Sequence, residues 1–119
     1  FLYKFLPDKY QPIKKDLKFN DMFAKILIQA KNFSENNNSR FYFVYLPDFK
    51  RFNSKNYDNR NYTKIKKLLI TSDIKLIDIN DLVFKKANNP LIFFPYEMYG
   101  HYNELGYKKI AEKILQHIF

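Results

Sequence analysis

The chain has 119 residues, a formal net charge of +9, 46% apolar and 19% aromatic side chains, and no cysteine. This is material for one packed domain and no more, and it excludes disulfides, thiol catalysis and cysteine-ligated zinc. Gly100 and Gly106 are the only glycines, so neither a P-loop nor a dinucleotide fingerprint can be present, and no apolar run approaches the ~18 residues of a bilayer span.

The first residues mix charge and aromatics, with no apolar core of a signal peptide. The chain opens on Phe1 rather than Met, which leads us to expect a processed chain or a piece of a longer one. Phe1 to Lys18, with Pro7 and Pro12, reads as a loop. Asn20-Asp21 can cap a helix running to about Asn32, with Met22, Phe23, Ile26, Leu27 and Ala30 on one face. Ser34 to Ser39 is a polar loop. Arg40 to Leu46 (RFYFVYL) is a continuous apolar and aromatic run ended by Pro47, the pattern of a strand covered on both faces.

Asp48 to Asn61 reads as a polar loop. A helix is expected over Tyr62 to Thr71, with Ile65, Leu68 and Leu69 inward. A second strand follows at Ile74 to Ile79, then a helical turn at Asp81 to Lys85. Asn88-Asn89-Pro90 is a turn, and Leu91 to Tyr102 a long aromatic loop. The clearest helix spans Glu104 to Ile118, with Asn103 as N-cap. Leu105, Ile110, Ala111, Ile114, Leu115 and Ile118 form its buried stripe, and Lys108, Lys109, Glu112 and Lys113 its wet side. Strands alternating with helices predict βαβ units and a parallel sheet. Two strands make a poor sheet alone, so an N-terminal part is expected to lie elsewhere.

Of the serines, Ser34, Ser39, Ser54 and Ser72, none sits in a glycine-flanked strand-to-helix turn, so there is no nucleophile elbow. His117, near the end of the last helix, reads as a cation favoured by the helix dipole. His101 follows Gly100 on a helix-entry loop after an inferred strand, the side of an open α/β sheet where ligands gather. A histidine there can take up and release a proton and can reach a reacting group, as a general base must. No neighbouring histidine or cysteine supports a metal site, and no cofactor is expected.

The stretch Gly100 to Ile114, GHYNELGYKKIAEKI, resembles the last block of SGNH (GDSL-type) hydrolases. In that block a catalytic histidine is followed by an asparagine two residues on, a glycine three further, and an amphipathic helix. Here they are His101, Asn103 and Gly106. The upstream segments, Tyr45-Leu46-Pro47 and Leu76-Ile77-Asp78, fit the same pattern, so the resemblance covers about Phe41 to Ile118. It implies an α/β fold, a three-layer α/β/α arrangement around a parallel sheet (flavodoxin-like), with residues 1–119 as the C-terminal portion of one domain. It implies an ester hydrolase acting on a small ester or acylated substrate. His101 would be the general base, and a serine from a missing N-terminal segment the nucleophile.

The family places its orienting carboxylate three residues before the histidine, where this chain has Met98. Glu97, one position further back, is therefore the expected orienter, with Asp78, Asp81 or a backbone carbonyl as substitutes. Phe93-Phe94-Pro95-Tyr96 with Tyr99 and Tyr102 are candidates for lining an acyl or sugar pocket. Two other readings are carried. Lys50, Arg51, Lys55 and Arg60, interleaved with Phe49, Phe52 and Tyr57, could grip a polyanion or stack nucleic-acid bases, although lysines spread along the whole chain make nucleic acid an unexpected partner. A catalytically silent remnant of the fold is the other.

Overall fold

The computed structural model describes residues 21–119; the expected loop over Phe1 to Lys18 and the cap at Asn20 lie outside them. The described chain is a mixed α/β structure. Helix α1 spans Asp21–Asn36, strand β1 Tyr42–Tyr45, helix α2 Lys50–Asn53, helix α3 Arg60–Thr71, strand β2 Lys75–Asp78, helix α4 Ile79–Leu82 and helix α5 Glu104–Ile118. Three short 3-10 turns, at Phe84–Lys86, Pro90–Phe93 and Pro95–Glu97, join α4 to α5.

The strands pair in parallel, with Tyr42 opposite Lys75 and Tyr45 opposite Asp78. A parallel pair needs a crossover, and α3 lies within it. Alternate side chains leave a strand on opposite faces, and each face here meets its own apolar cluster. On one, Leu27, Leu69 and Ile74 are buried, with Phe41, Phe43 and Leu76 packed on them. On the other, Tyr42 and Val44 pack against Ile77, Ile79, Val83, Phe84, Phe93, Phe94 and Ile110. Phe84, 1% exposed, centres the second cluster. Its ring stacks on Phe52 at 4.9 Å and meets Phe93 edge-on at 5.0 Å. Such aromatic pairs add about 0.5–1.5 kcal/mol beyond their buried area.

Several expectations are corrected. Helix α1 continues past Asn32 to Asn36, because no proline or glycine breaks it. Its expected inner face is split: Leu27 is buried, whereas Met22 and Ile26 are exposed. The strands are shorter than their apolar runs, since pairing covers only four residues of each. The stretch from Asp48 to Asn61 is not all loop: α2 forms within it, and Phe49 and Phe52, three residues apart, both belong to the core. The helical turn forms at Ile79–Leu82, earlier than expected, because the Asp78 side chain accepts from the Asp81 N–H and caps it. On α5, Leu105, Ala111 and Leu115 are exposed, while Glu112 and Lys113 are half-buried; periodicity marks an apolar stripe without saying how much of it finds a partner.

A polar network closes the C-terminal end of β2. Asp78 and Asn80 are buried. Lys66 lies 3.1 Å from Asp78 and 2.9 Å from Asp81, and Lys85 lies 2.6 Å from Asp81. The Tyr62 hydroxyl donates to Asp78 at 2.5 Å. Thus α3, β2 and α4 are joined by charge as well as by packing. The hydrogen bond from Lys85, then that from Lys66, holds the Asp81 carboxyl well below the usual carboxylate range. The hydrogen bond to Asp81 raises the Lys66 ammonium in turn.

A carboxyl depressed by folding stabilises the native state above its unfolded value of 3.8 and loses that contribution as pH falls below it. The raised lysine stabilises at every pH below its ordinary value and weakens only in strong alkali. The urea midpoint should therefore drop as pH is lowered from 5 toward 2, and Asp81→Asn should flatten that drop. Parallel midpoint curves for the variant and the parent would exclude the network from acid stability.

Candidate active site

His101 lies on the loop entering α5, with its side chain exposed. It lines a cleft of about 420 Å³ together with Pro47, Asp48, Phe49, Lys50, Phe94, Tyr99, Tyr102 and Tyr107. Pro47 to Lys50 leave the C-terminal end of β1, so the cleft opens at the strand end favoured for ligands in α/β sheets. The lining contains no serine, threonine or cysteine.

The loop is anchored by Asn103. Its side-chain oxygen accepts from the Gly106 N–H at 2.9 Å and caps α5. Its side-chain NH2 donates to the Ile92 carbonyl at 2.7 Å, and its backbone N–H donates to the Phe93 carbonyl at 2.9 Å. One residue therefore ties the start of the loop to its end. Gly106 has a separate reason to be glycine. A Cβ there would come within 2.8 Å of the Phe93 carbonyl oxygen and 3.1 Å of the Tyr102 Cβ, so the bare backbone is what lets α5 dock on the loop.

Tyr102 ties the loop to β1: its hydroxyl donates to the Pro47 carbonyl. Burial, and then the charge of Asp48, raise the Tyr102 phenol far above its ordinary value, so it stays protonated and remains a donor at any physiological pH. The two walls of the cleft, Pro47-Asp48 and His101-Tyr102, are fastened together by this bond.

The expected acids lie elsewhere. Glu97 accepts from the Asn89 side chain at 2.7 Å and is not among the residues lining the cleft. Tyr96 and Glu97 both adopt left-handed backbone, with φ of 52° and 55°, a conformation that costs an ordinary residue roughly 1–2 kcal/mol. Asp78 and Asp81 are committed to Lys66, Tyr62 and Lys85. Among the candidate pocket aromatics, Phe94, Tyr99 and Tyr102 line the cleft; Phe93 is buried in the core, and Tyr96 is 91% exposed. His117 is held through Nδ1, which donates to the Lys113 carbonyl at 2.7 Å in the last turn of α5.

Sequence reasoning missed Asp48 and Lys50 as neighbours of His101. The signal was present in their position directly beyond β1. The basic-aromatic loop does not offer a row of stacking rings. Phe49 is buried and Phe52 packs on the core. Arg51 is enclosed by the rings of Tyr62 at 4.5 Å, Tyr57 at 4.6 Å and Tyr45 at 5.6 Å. Its guanidinium donates to Asn59 at 2.6 Å and to Tyr45 at 2.9 Å.

Among the described residues no helix is long and apolar enough to cross a membrane, and no group of three or more metal-binding side chains is assembled. No protein-family model, curated protein or solved structure matches the chain significantly. The class supported is the broad one: a mixed α/β chain around a small parallel sheet, with a histidine-bearing cleft at a strand end.

Two substitutions test this architecture. Gly106→Ala gains helix propensity of about 1 kcal/mol, yet the clash with the Phe93 carbonyl should make it destabilising by about 1–3 kcal/mol in urea unfolding. Asn103→Ala should cost about 1–2 kcal/mol through the lost cap, whereas Asn103→Asp, which still accepts from Gly106 but no longer donates to Ile92, should recover part of it. Equal losses in the two Asn103 variants would show that the cap is not what holds the helix entry.

Proposed function

We propose that this chain is the C-terminal portion of an SGNH-type ester hydrolase with a three-layer α/β/α domain, and that His101 is its general base. The observation that carries this reading is the placement of His101. It is exposed in a cleft beyond the C-terminal end of β1, on a loop whose two ends are pinned by Asn103. An imidazole on a fixed backbone with a free ring can take a proton from a nucleophile and return it to a leaving group. The clusters on both faces of the sheet support the layered arrangement.

In the proposed reaction a serine hydroxyl attacks the ester carbonyl while His101 accepts its proton. The tetrahedral intermediate collapses as His101 protonates the departing alkoxide, and water then releases the acyl group by the same two steps. The residues lining the cleft offer no nucleophile, and Phe1 to Asn20 contain no serine, threonine or cysteine. The reading therefore requires a serine contributed from outside this sequence. The aromatic walls, Phe49, Phe94, Tyr99 and Tyr107, suit a small acyl group or the apolar face of an acylated sugar.

In the protein that carries the serine, His101→Ala should lower kcat/KM for p-nitrophenyl acetate by about 10³-fold or more, while His117→Ala stays within about two-fold. Turnover by His101→Ala equal to the parent's would remove the reading.

A further inference from the structure

We propose that Asp48, rather than Glu97, is the positioning residue that orients the His101 ring. The inference rests on the reading of His101 as a general base. A base of this kind works through one ring nitrogen, and a carboxylate bonded to the other fixes the tautomer and the ring plane. Among the described carboxylates, Asp48 is the one that lines the cleft with His101. Glu97 is held by Asn89, and Asp78 and Asp81 by Lys66 and Lys85.

Three features suit Asp48 to the role. It follows Pro47, whose carbonyl accepts from Tyr102, the residue next to His101; the backbones bearing acid and base are thus fastened one residue from each. Its Oδ1 accepts from the Arg51 N–H at 3.1 Å, which fixes the carboxylate at the start of α2, while Oδ2 accepts no hydrogen bond among the described residues. The Asp48 charge, second only to burial, raises the Tyr102 phenol, so the carboxylate acts on the wall that carries His101.

Asp48 and His101 do not touch in this arrangement. Both line the same cleft, and catalytic hydrogen bonds that are long without substrate tighten when it binds. Lys50, whose ammonium lies 5.9 Å from the Tyr99 ring, is the other charged group on the cleft. The remaining ionisable groups on it are the phenols of Tyr99, Tyr102 and Tyr107.

The test uses the serine-bearing protein and compares Asp48→Asn, Asp48→Glu and Glu97→Gln with the parent. Asn keeps the acceptor for the Arg51 N–H, but its amide NH2 favours the wrong imidazole tautomer. Asp48→Asn should lose about 10²-fold or more in kcat with KM within about three-fold. Asp48→Glu should regain part of that loss, and Glu97→Gln should remain near the parent. The 15N shifts of neutral His101 should report the Nδ1-protonated tautomer in the parent and move away from it in Asp48→Asn, with His117 unchanged as the internal reference.

Parent-like kcat and tautomer in Asp48→Asn, or an equal loss in Glu97→Gln, overturns the assignment. An inactive His101→Ala beside an active Asp48→Asn would discard Asp48 alone. An active His101→Ala would discard the hydrolase reading and this inference with it.

Discussion

The arrangement of the cleft depends on the three hydrogen bonds of Asn103. A loop between a 3-10 turn and a helix has no ladder to hold it, and its polar backbone must find partners individually. Asn103 supplies them at the one place where both ends of the loop meet. Its oxygen serves α5, and its amide NH2 and backbone N–H serve Ile92 and Phe93. The helix start and the loop closure are thus one structural event. A side chain with an acceptor alone could cap the helix without closing the loop. A donor alone could close the loop without capping the helix. Asparagine has both on one short stem.

The rest of the domain supports this point from two directions. Beneath it, Phe84, Phe93, Phe94 and Tyr102 form an aromatic cluster with ring centroids 5.0 to 6.0 Å apart. Tyr102 is a member of that cluster and also the donor to Pro47, so packing and polar bonding fix the same residue. Beside it, the network around Asp78 and Asp81 fixes the end of β2 to α3 and α4. That network is engaged with itself and leaves its carboxylates no free role in the cleft. Division of labour between a committed ionic cluster and an exposed histidine follows from where each sits relative to water: half-buried charges must be paired, and an exposed imidazole need not be.

Much of the fold was legible in the sequence, and the residues show why. Helix α5 was read with its observed limits because Asn103 and the apolar spacing agree at its start. The parallel pairing followed from apolar strands separated by an amphipathic helix. Other features depended on tertiary partners that a single sequence does not display. Helix α2 hides in a stretch that looks polar, because only Phe49 and Phe52 face inward. Met22, Ile26, Leu105 and Leu115 carry helical spacing and yet stay exposed, because a stripe records capacity for burial and not the presence of a cover. In the candidate site, His101, Asn103 and Gly106 were found together because their relation is local. Distance along the chain is a poor guide to which carboxylate lies near the histidine in the cleft.

Glu97 shows how. It stands four residues before His101, near the position where the family pattern has its acid. Yet Tyr96 and Glu97 turn through left-handed backbone, and the Asn89 amide takes the carboxylate. A long loop of 3-10 turns changes direction too often for sequence distance to measure spatial distance. Asp48 is 53 positions away from His101 by number, but the chain reaches the cleft twice by short, stiff routes. One is a strand ended by a buried proline, and the other is a loop tied to that proline's carbonyl by Tyr102. Two backbones held this way can present an acid and a base across a cleft without a motif that joins them in sequence. A parallel sheet does this generally, since it collects strand exits from distant parts of the chain along one edge.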